Sequence, residues 1–163
     1  MTDNIDIDVY IEISKNTSIK YEFDKEFNCL RCDRILNSPF VYPENYGFIP
    51  NTKAMDDDEL DALVLSRYSF QPGTVIKCKI LGYLEMTDEK GLDEKMIVMP
   101  IDKVDRLSLN YNDITDIPEH IKDNIHYFFT HYKDLDKNKW SKVEKFYGRN
   151  EAIILYYKYL LHC

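Results

Sequence analysis

The chain opens on a strict alternation. Ile5, Ile7, Val9, Ile11 and Ile13 are separated by Asp6, Asp8, Tyr10 and Glu12, the period of two that a β-strand with one buried face requires. The period returns at Ile19, Tyr21 and Phe23, with Lys20, Glu22 and Asp24 on the opposite face. Apolar runs at 62–65, 75–84 and 96–101 read as further strands, with turn residues between them at Pro39, Pro43, Gly47, Pro72-Gly73 and Gly91. The last third reads as helical. Ile117, Ile121, Ile125 and Phe129, joined by Phe128 and Tyr132, recur at helical spacing. Asp116 ahead of Pro118 supplies a cap and a first-turn residue. A second helix is expected over about 150–161. Short strands followed by helices predict a mainly β protein with α: a five-stranded, OB-like closed β-barrel flanked by two or more helices.

A length of 163 residues fits one domain, 1–163, around one core. The 29 acidic residues outnumber the 21 basic ones, for a net charge of −8. Surfaces that track a nucleic-acid backbone are normally basic, so nucleic acid is not an expected partner. A phosphate substrate stays open, because clustered carboxylates bind metal ions and the metals bind phosphate. No apolar stretch approaches the roughly 20 residues that span a bilayer, and the acidic start lacks the pattern of a signal peptide. The expected location is the cytoplasm, with no membrane partner and with Cys29, Cys32, Cys78 and Cys163 as thiols.

The densest charge is at Asp56-Asp57-Asp58-Glu59-Leu60-Asp61, where five of six residues are carboxylates. Without cations they repel one another. A loop of this kind entering a strand suits hard, oxygen-loving metals; taken alone, it also fits a solvated acidic loop. A helix–loop–helix calcium site is a poor match, since its sixth and twelfth positions need Gly and Glu and here hold Asp61 and Arg67. A second acidic segment, 86–95, looks like a turn between two strands. Asp93 and Lys95 are two apart and share a face, an arrangement suited to a metal-bound anion. Alone, it is an ordinary polar hairpin.

Taken together, these segments resemble the soluble inorganic pyrophosphatases of family I, which have a small β-barrel fold. The family's acidic signature spaces three aspartates as Asp56, Asp58 and Asp61 are spaced. Glu59 stands where Pro is commoner, which removes a fixed backbone angle. The resemblance runs from about Val9 to Trp140. It includes 9–13, 19–24, Asp33-Arg34, 42–49, Gln71-Pro72-Gly73, 86–95 and 131–135 in that order. From about Lys145 onward the match is poor.

The resemblance implies magnesium-dependent hydrolysis of inorganic diphosphate to two orthophosphates, with several Mg2+ ions per site and Mn2+ or Co2+ as substitutes. Asp56, Asp61, Asp88 and Asp93 are implied as metal ligands, with Glu22 near a metal brought by the substrate. The nucleophile is implied to be a water between two metals. Asp58 is the candidate general base; it also fits a third metal ligand or an outer hydrogen-bond acceptor. Lys20, Arg34, Lys95 and Lys133 are the candidate phosphate-binding cations, Arg34 offering a planar fork. Tyr46 and Tyr132 are expected to donate to phosphate oxygens, and Tyr42 and Glu12 to line the cavity. Without the resemblance, Lys20 and Glu22 read as surface residues and Tyr132 as a core aromatic.

Cys29 and Cys32 have the spacing of zinc knuckles, but no second pair accompanies them, so ordinary thiols are expected. The four histidines form no metal-binding pattern. Tyr156, Tyr157 and Tyr159 lie in the expected packing helix and are candidates for a subunit contact. Short bacterial family members imply a homo-oligomer, with a hexamer favoured. Two other function classes remain: a barrel that binds single-stranded nucleic acid, and a metal-dependent phosphatase for organic phosphates.

Overall fold

The computed structural model describes residues 5–162. Among the described residues nine strands are formed: β1 (Asp6–Ile13), β2 (Ile19–Asp24), β3 (Cys29–Ile35), β4 (Asn45–Ile49), β5 (Leu60–Val64), β6 (Val75–Asp88), β7 (Gly91–Leu92), β8 (Lys95–Pro100) and β9 (Ser141–Tyr147). Helix α1 (Glu119–His131) precedes β9 and α2 (Arg149–Tyr159) follows it. The main sheet runs β1-β4-β5-β8-β6, and β6 pairs back onto β1, which closes a five-stranded barrel. One pair, β5 with β8, is parallel; the other four are antiparallel. This is the expected barrel flanked by helices.

The alternation that predicts β1 also explains the core. Ile7, Val9 and Ile11 join Ile49, Leu60, Ala62, Val64, Ile76, Ile80, Met96 and Val98 in one buried cluster, so all five barrel strands send side chains to a common interior. Ala152, Ile153, Leu155 and Tyr159 of α2 belong to the same cluster. A second cluster forms on the other face, where Leu63, Leu65, Leu81, Leu84, Met86 and Ile97 pack against Ile125, Phe128 and Phe129 of α1. Side chains of β5 and β8 that point away from the interior therefore reach either α1 or the cavity described below. Gly47 on β4 is required by a close approach: a Cβ there would lie 1.8 Å from the Tyr10 carbonyl oxygen of β1.

The helical reading of the last third needs two corrections. Residues 141–147 form a strand, β9, paired with the outer half of β6. Lys142, Glu144 and Lys145 crowd this segment, and Val143 and Phe146 are only partly buried, so its alternation is hidden. Asp116 does not cap α1; Pro118 occupies that position without a side-chain cap. The Asp116 carboxylate instead accepts from the backbone N–H groups of Asn112 and Asp113, closing a preceding 3-10 turn. Cys29 and Cys32 lie on β3 as exposed thiols, Cys78 is a buried thiol, and Cys163 lies outside the described residues. Among the described residues, no helix is long and apolar enough to cross a membrane.

Candidate active site

A cavity of about 450 Å³ opens on the outer face of the barrel, where β4, β5 and β8 meet the β2–β3 hairpin and the end of α1. It is lined by Asp56, Asp58, Asp61, Asp88, Asp93 and Glu22. Lys20, Arg34, Tyr46, Lys95, Tyr132, Lys133, Glu12 and Tyr42 line it as well. The residues expected from the sequence to bind metal, act as base, bind phosphate or line the cavity, distant in the chain, thus share one space.

Strand register does much of the gathering. Asp61 on β5 lies opposite Lys95 on β8 and opposite Phe48 on β4. The Lys95 side chain is 3% exposed. Its Nζ lies 3.0 Å from Asp61 Oδ2, 3.0 Å from Asp93 Oδ2 and 3.1 Å from Asp93 Oδ1, and donates to the Tyr46 hydroxyl at 2.9 Å. Burial opposes a charge at this position, and Asp61 and Asp93 overcome that opposition, holding the ammonium well above its ordinary range. Burial also lifts the Tyr46 phenol well above its ordinary range. Tyr46 is therefore neutral, accepts from Lys95, and keeps its own hydrogen for a ligand.

The acidic loop separates its neighbours. Asp57 takes a left-handed conformation, φ 67°, and its side chain turns out to Lys53 at 3.6 Å. Asp56 and Asp58 stay on the cavity side, tied by a bond from the Asp58 N–H to Asp56 Oδ1 at 3.1 Å. Glu59, where the family favours Pro, pairs with Lys25 of the hairpin turn at 2.8 Å. On the far wall, Lys133 reaches Asp88 at 3.2 Å and Glu89 at 3.4 Å. It follows directly on Tyr132, which ends α1.

The hairpin brings in the remaining cations. Lys20 and Arg34 are cross-strand partners, but the register slips between Lys20 and Tyr21, which leaves Asp33 as an extra residue on β3. Asp33 reaches both neighbours, Lys20 Nζ at 3.3 Å and Arg34 Nε at 2.8 Å. Burial works against its charge, yet the two cations hold its carboxyl below the usual range. Glu12 is buried beneath the hairpin and accepts from the Phe23 N–H at 2.8 Å. Burial raises its pKa to about 7. In the sequence Asp33 stands out only as part of the Asp33-Arg34 motif, and Glu89, Asp136 and Lys139, which also line the cavity, do not stand out. No sequence signal marks a bulge or the convergence of these loops.

The donor set suits hard divalent cations. Five aspartates from two loops and two strands face one cavity, and every donor is oxygen, as magnesium prefers. Two of them already hold a positive charge between them, that of Lys95. Among the described residues, no three imidazole, thiol or carboxylate side chains stand close enough to grip an ion as they are; the carboxylates share a space rather than a point.

A larger cavity of about 780 Å³ lies on the other side of Phe128, lined mostly by apolar groups including Phe40, Val41, Leu107, Ile121 and Tyr127. Its buried carboxylate is Glu44, which accepts from the Ser66 N–H at 3.3 Å and lies 3.5 Å from Lys15. Burial outweighs Lys15 and raises the Glu44 pKa from 4.5 to about 7. Between those values the folded chain keeps a proton that the unfolded chain has lost, so stability falls as pH rises through the window. Glu44→Gln keeps the acceptor and removes the titration. From about pH 5 to about pH 8 the variant should gain up to about 3 kcal/mol relative to the parent, measured from urea midpoints.

Comparison with known proteins agrees with this geometry. The sequence model of the family described as inorganic pyrophosphatase matches residues 9–160. The match runs through α2 and corrects the expectation that the resemblance fades after about Lys145. The inorganic pyrophosphatase of Helicobacter pylori is 51% identical over 145 residues, covering 89% of this chain and 84% of that protein. That of Saccharolobus solfataricus is 49% identical over 138 residues, covering 85% and 80%. A solved Helicobacter pylori inorganic pyrophosphatase superposes with a TM-score of 0.93 at 48% identity, over 97% of this chain and 92% of that one. Fold, sequence and the gathering of charged residues in one cavity lead to the same assignment: this chain belongs to the inorganic pyrophosphatase family.

Proposed function

We propose that this chain hydrolyses inorganic diphosphate to two orthophosphates with magnesium as its cofactor and Mn2+ or Co2+ as substitutes. The observation that carries the reading is the shared cavity, which brings five aspartates together with Lys20, Arg34, Lys95 and Lys133. Diphosphate is a dense polyanion, and only cations make such a carboxylate wall compatible with it. Asp56, Asp61, Asp88 and Asp93 would hold the metals, with Glu22 near one that arrives with the substrate. When bound, such ions neutralise the phosphates and lower the pKa of the attacking water.

The chain's own groups do the rest. Arg34 and Lys20, aimed by Asp33, grip phosphate oxygens from the hairpin side, and Lys133 does so from the α1 side. Tyr46 and Tyr132 donate hydroxyl hydrogens to phosphate oxygens. Asp58, on the exposed acidic loop beside Asp56, accepts the proton of the attacking water as general base. The barrel, with the β2–β3 hairpin and the end of α1 set against it, keeps these groups in fixed relation, and that positioning is the larger part of catalysis for phosphoryl transfer. The same carboxylate wall repels a nucleic-acid backbone.

Phosphate release from diphosphate, ATP and a phosphomonoester, each with magnesium and with EDTA, tests the reading. Release from diphosphate alone, and only with magnesium, is expected; equal release from all three would assign an organic-phosphate phosphatase instead. Asp58→Asn should lower kcat about 100-fold, measured as phosphate release from diphosphate at saturating magnesium.

We also propose a cytoplasmic homo-oligomer, a hexamer being favoured. Val41, Leu109 and Tyr127 are 45%, 59% and 60% exposed, and Val41 and Tyr127 lie at the 780 Å³ cavity, a feature that supports burial against a second copy. Sedimentation velocity that finds only a 19.4 kDa species contradicts this.

A further inference from the structure

Tyr156, Tyr157 and Tyr159 lie on one helix but in different surroundings. Tyr157 is 51% exposed, while Tyr159 is 5% exposed and packs into the barrel's interior cluster. A residue so enclosed is not available to a partner subunit, yet its hydroxyl is not idle. It donates to Glu94 Oε1 at 2.5 Å. Glu94 lies between Asp93 and Lys95 and, by the alternation of an extended chain, points away from the cavity that they line. A bond 65 residues long in sequence thus grips the back of the segment whose front faces the cavity.

The same residue holds a second segment. The Tyr159 carbonyl accepts from the Lys53 N–H at 2.9 Å, the Leu161 N–H donates to the Asn51 carbonyl at 2.8 Å, and Thr52 and Leu160 form an isolated antiparallel bridge. Thr52 in turn is buried; its hydroxyl donates to the Ile49 carbonyl at 2.6 Å and accepts from the Leu60 N–H at 2.9 Å. Residues 51–53 are the base of the loop that carries Asp56 and Asp58. Above that base the loop is tied mainly to itself: the Ala54 N–H bonds to the Asp58 carbonyl at 2.8 Å, the Asp57 N–H to the Ala54 carbonyl at 3.1 Å and the Asp58 N–H to Asp56 Oδ1 at 3.1 Å, with Lys53 pairing Asp57 at 3.6 Å and Lys25 pairing Glu59 at 2.8 Å.

We propose that Tyr159 is a positioning residue that sets the spacing between two carboxylate-bearing segments, holding Asp93 through Glu94 with its phenol and the Asp56–Asp58 loop through Lys53 with its carbonyl. The inference rests on the reading that these aspartates bind magnesium. A cation that takes ligands from both segments feels their separation directly, and outer groups that orient ligands commonly carry a tenfold or larger share of metal affinity. The phenol touches neither substrate nor metal, so its effect appears in cation affinity before it appears in diphosphate binding.

Tyr159→Phe keeps the ring in the core and removes only the hydroxyl. Titration calorimetry with magnesium, without diphosphate, is expected to show affinity weakened about tenfold. The magnesium concentration for half-maximal hydrolysis should rise with it, while KM for diphosphate at saturating magnesium stays within about twofold of the parent. Glu94→Gln retains an acceptor for the phenol and should sit near the parent; Glu94→Ala should match Tyr159→Phe, and the two changes combined should do no more than one. Tyr157→Phe, on the exposed side of α2, should leave affinity unchanged. A Tyr159→Phe protein with lower thermal stability but parental magnesium affinity overturns the proposal and leaves the phenol a packing group. Parent protein that neither binds magnesium nor hydrolyses diphosphate overturns the underlying enzymatic reading instead.

Discussion

Asp61→Asn is expected to fold normally and to lose diphosphate hydrolysis by about 1000-fold in kcat, the scale set by removing one electrostatic group aimed at the reacting centre. Asp61 is where the two halves of the site meet. It stands at the start of β5, directly after the acidic loop, faces β8 across the parallel pair, and accepts from the Lys95 ammonium. Asparagine keeps the shape and one acceptor oxygen but carries no charge to hold a cation. The fold does not depend on that charge, since Lys95 retains Asp93 at 3.0 Å and the interior cluster is untouched. Circular dichroism should match the parent while magnesium-dependent phosphate release falls. Parental activity in this variant would remove Asp61 from the metal set.

Lys95→Met is expected to be the most destabilising change in the site. The parent buries an ammonium between two carboxylates, and deleting one member of a buried ionic group strands the others at a cost of about 3–5 kcal/mol. In a chain of this size each kcal/mol moves Tm by about 2–4 °C, so a drop of about 10 °C is expected in EDTA. Magnesium should narrow the deficit, because a divalent cation near Asp61 and Asp93 replaces the missing positive charge. Equal melting of parent and variant in EDTA would mean that the trio contributes nothing net. Activity should fall in either case, since Lys95 also supports Tyr46.

The parts of the molecule legible in the sequence are those where local pattern and tertiary role agree. The alternation at Ile5–Ile13 is visible because one face of β1 enters the interior and the other carries Glu12 towards the cavity. The spaced aspartates were legible as a family signature, since neither charge density nor spacing alone separates a metal site from a solvated loop. β9 was not legible, because its charged residues face solvent and its pairing partner lies more than fifty residues upstream in β6. The role of Asp33 is not legible in the sequence because it comes from a register slip, which leaves no mark in composition. The Tyr159–Glu94 contact joins two residues that each look ordinary where they stand.

The position of β6 also bears on how the molecule is made. This one strand touches β1, β7, β8 and β9, and β1 gains its second neighbour only from residues 75–79. A ribosome that has released only the first 60 or so residues has therefore delivered an apolar ribbon with one bare flank, the kind of flank that recruits other chains. Closing so distant a pair is slow compared with local folding. Aggregation during synthesis should be governed by how soon β6 arrives, and cold or diluted expression should favour the closed form.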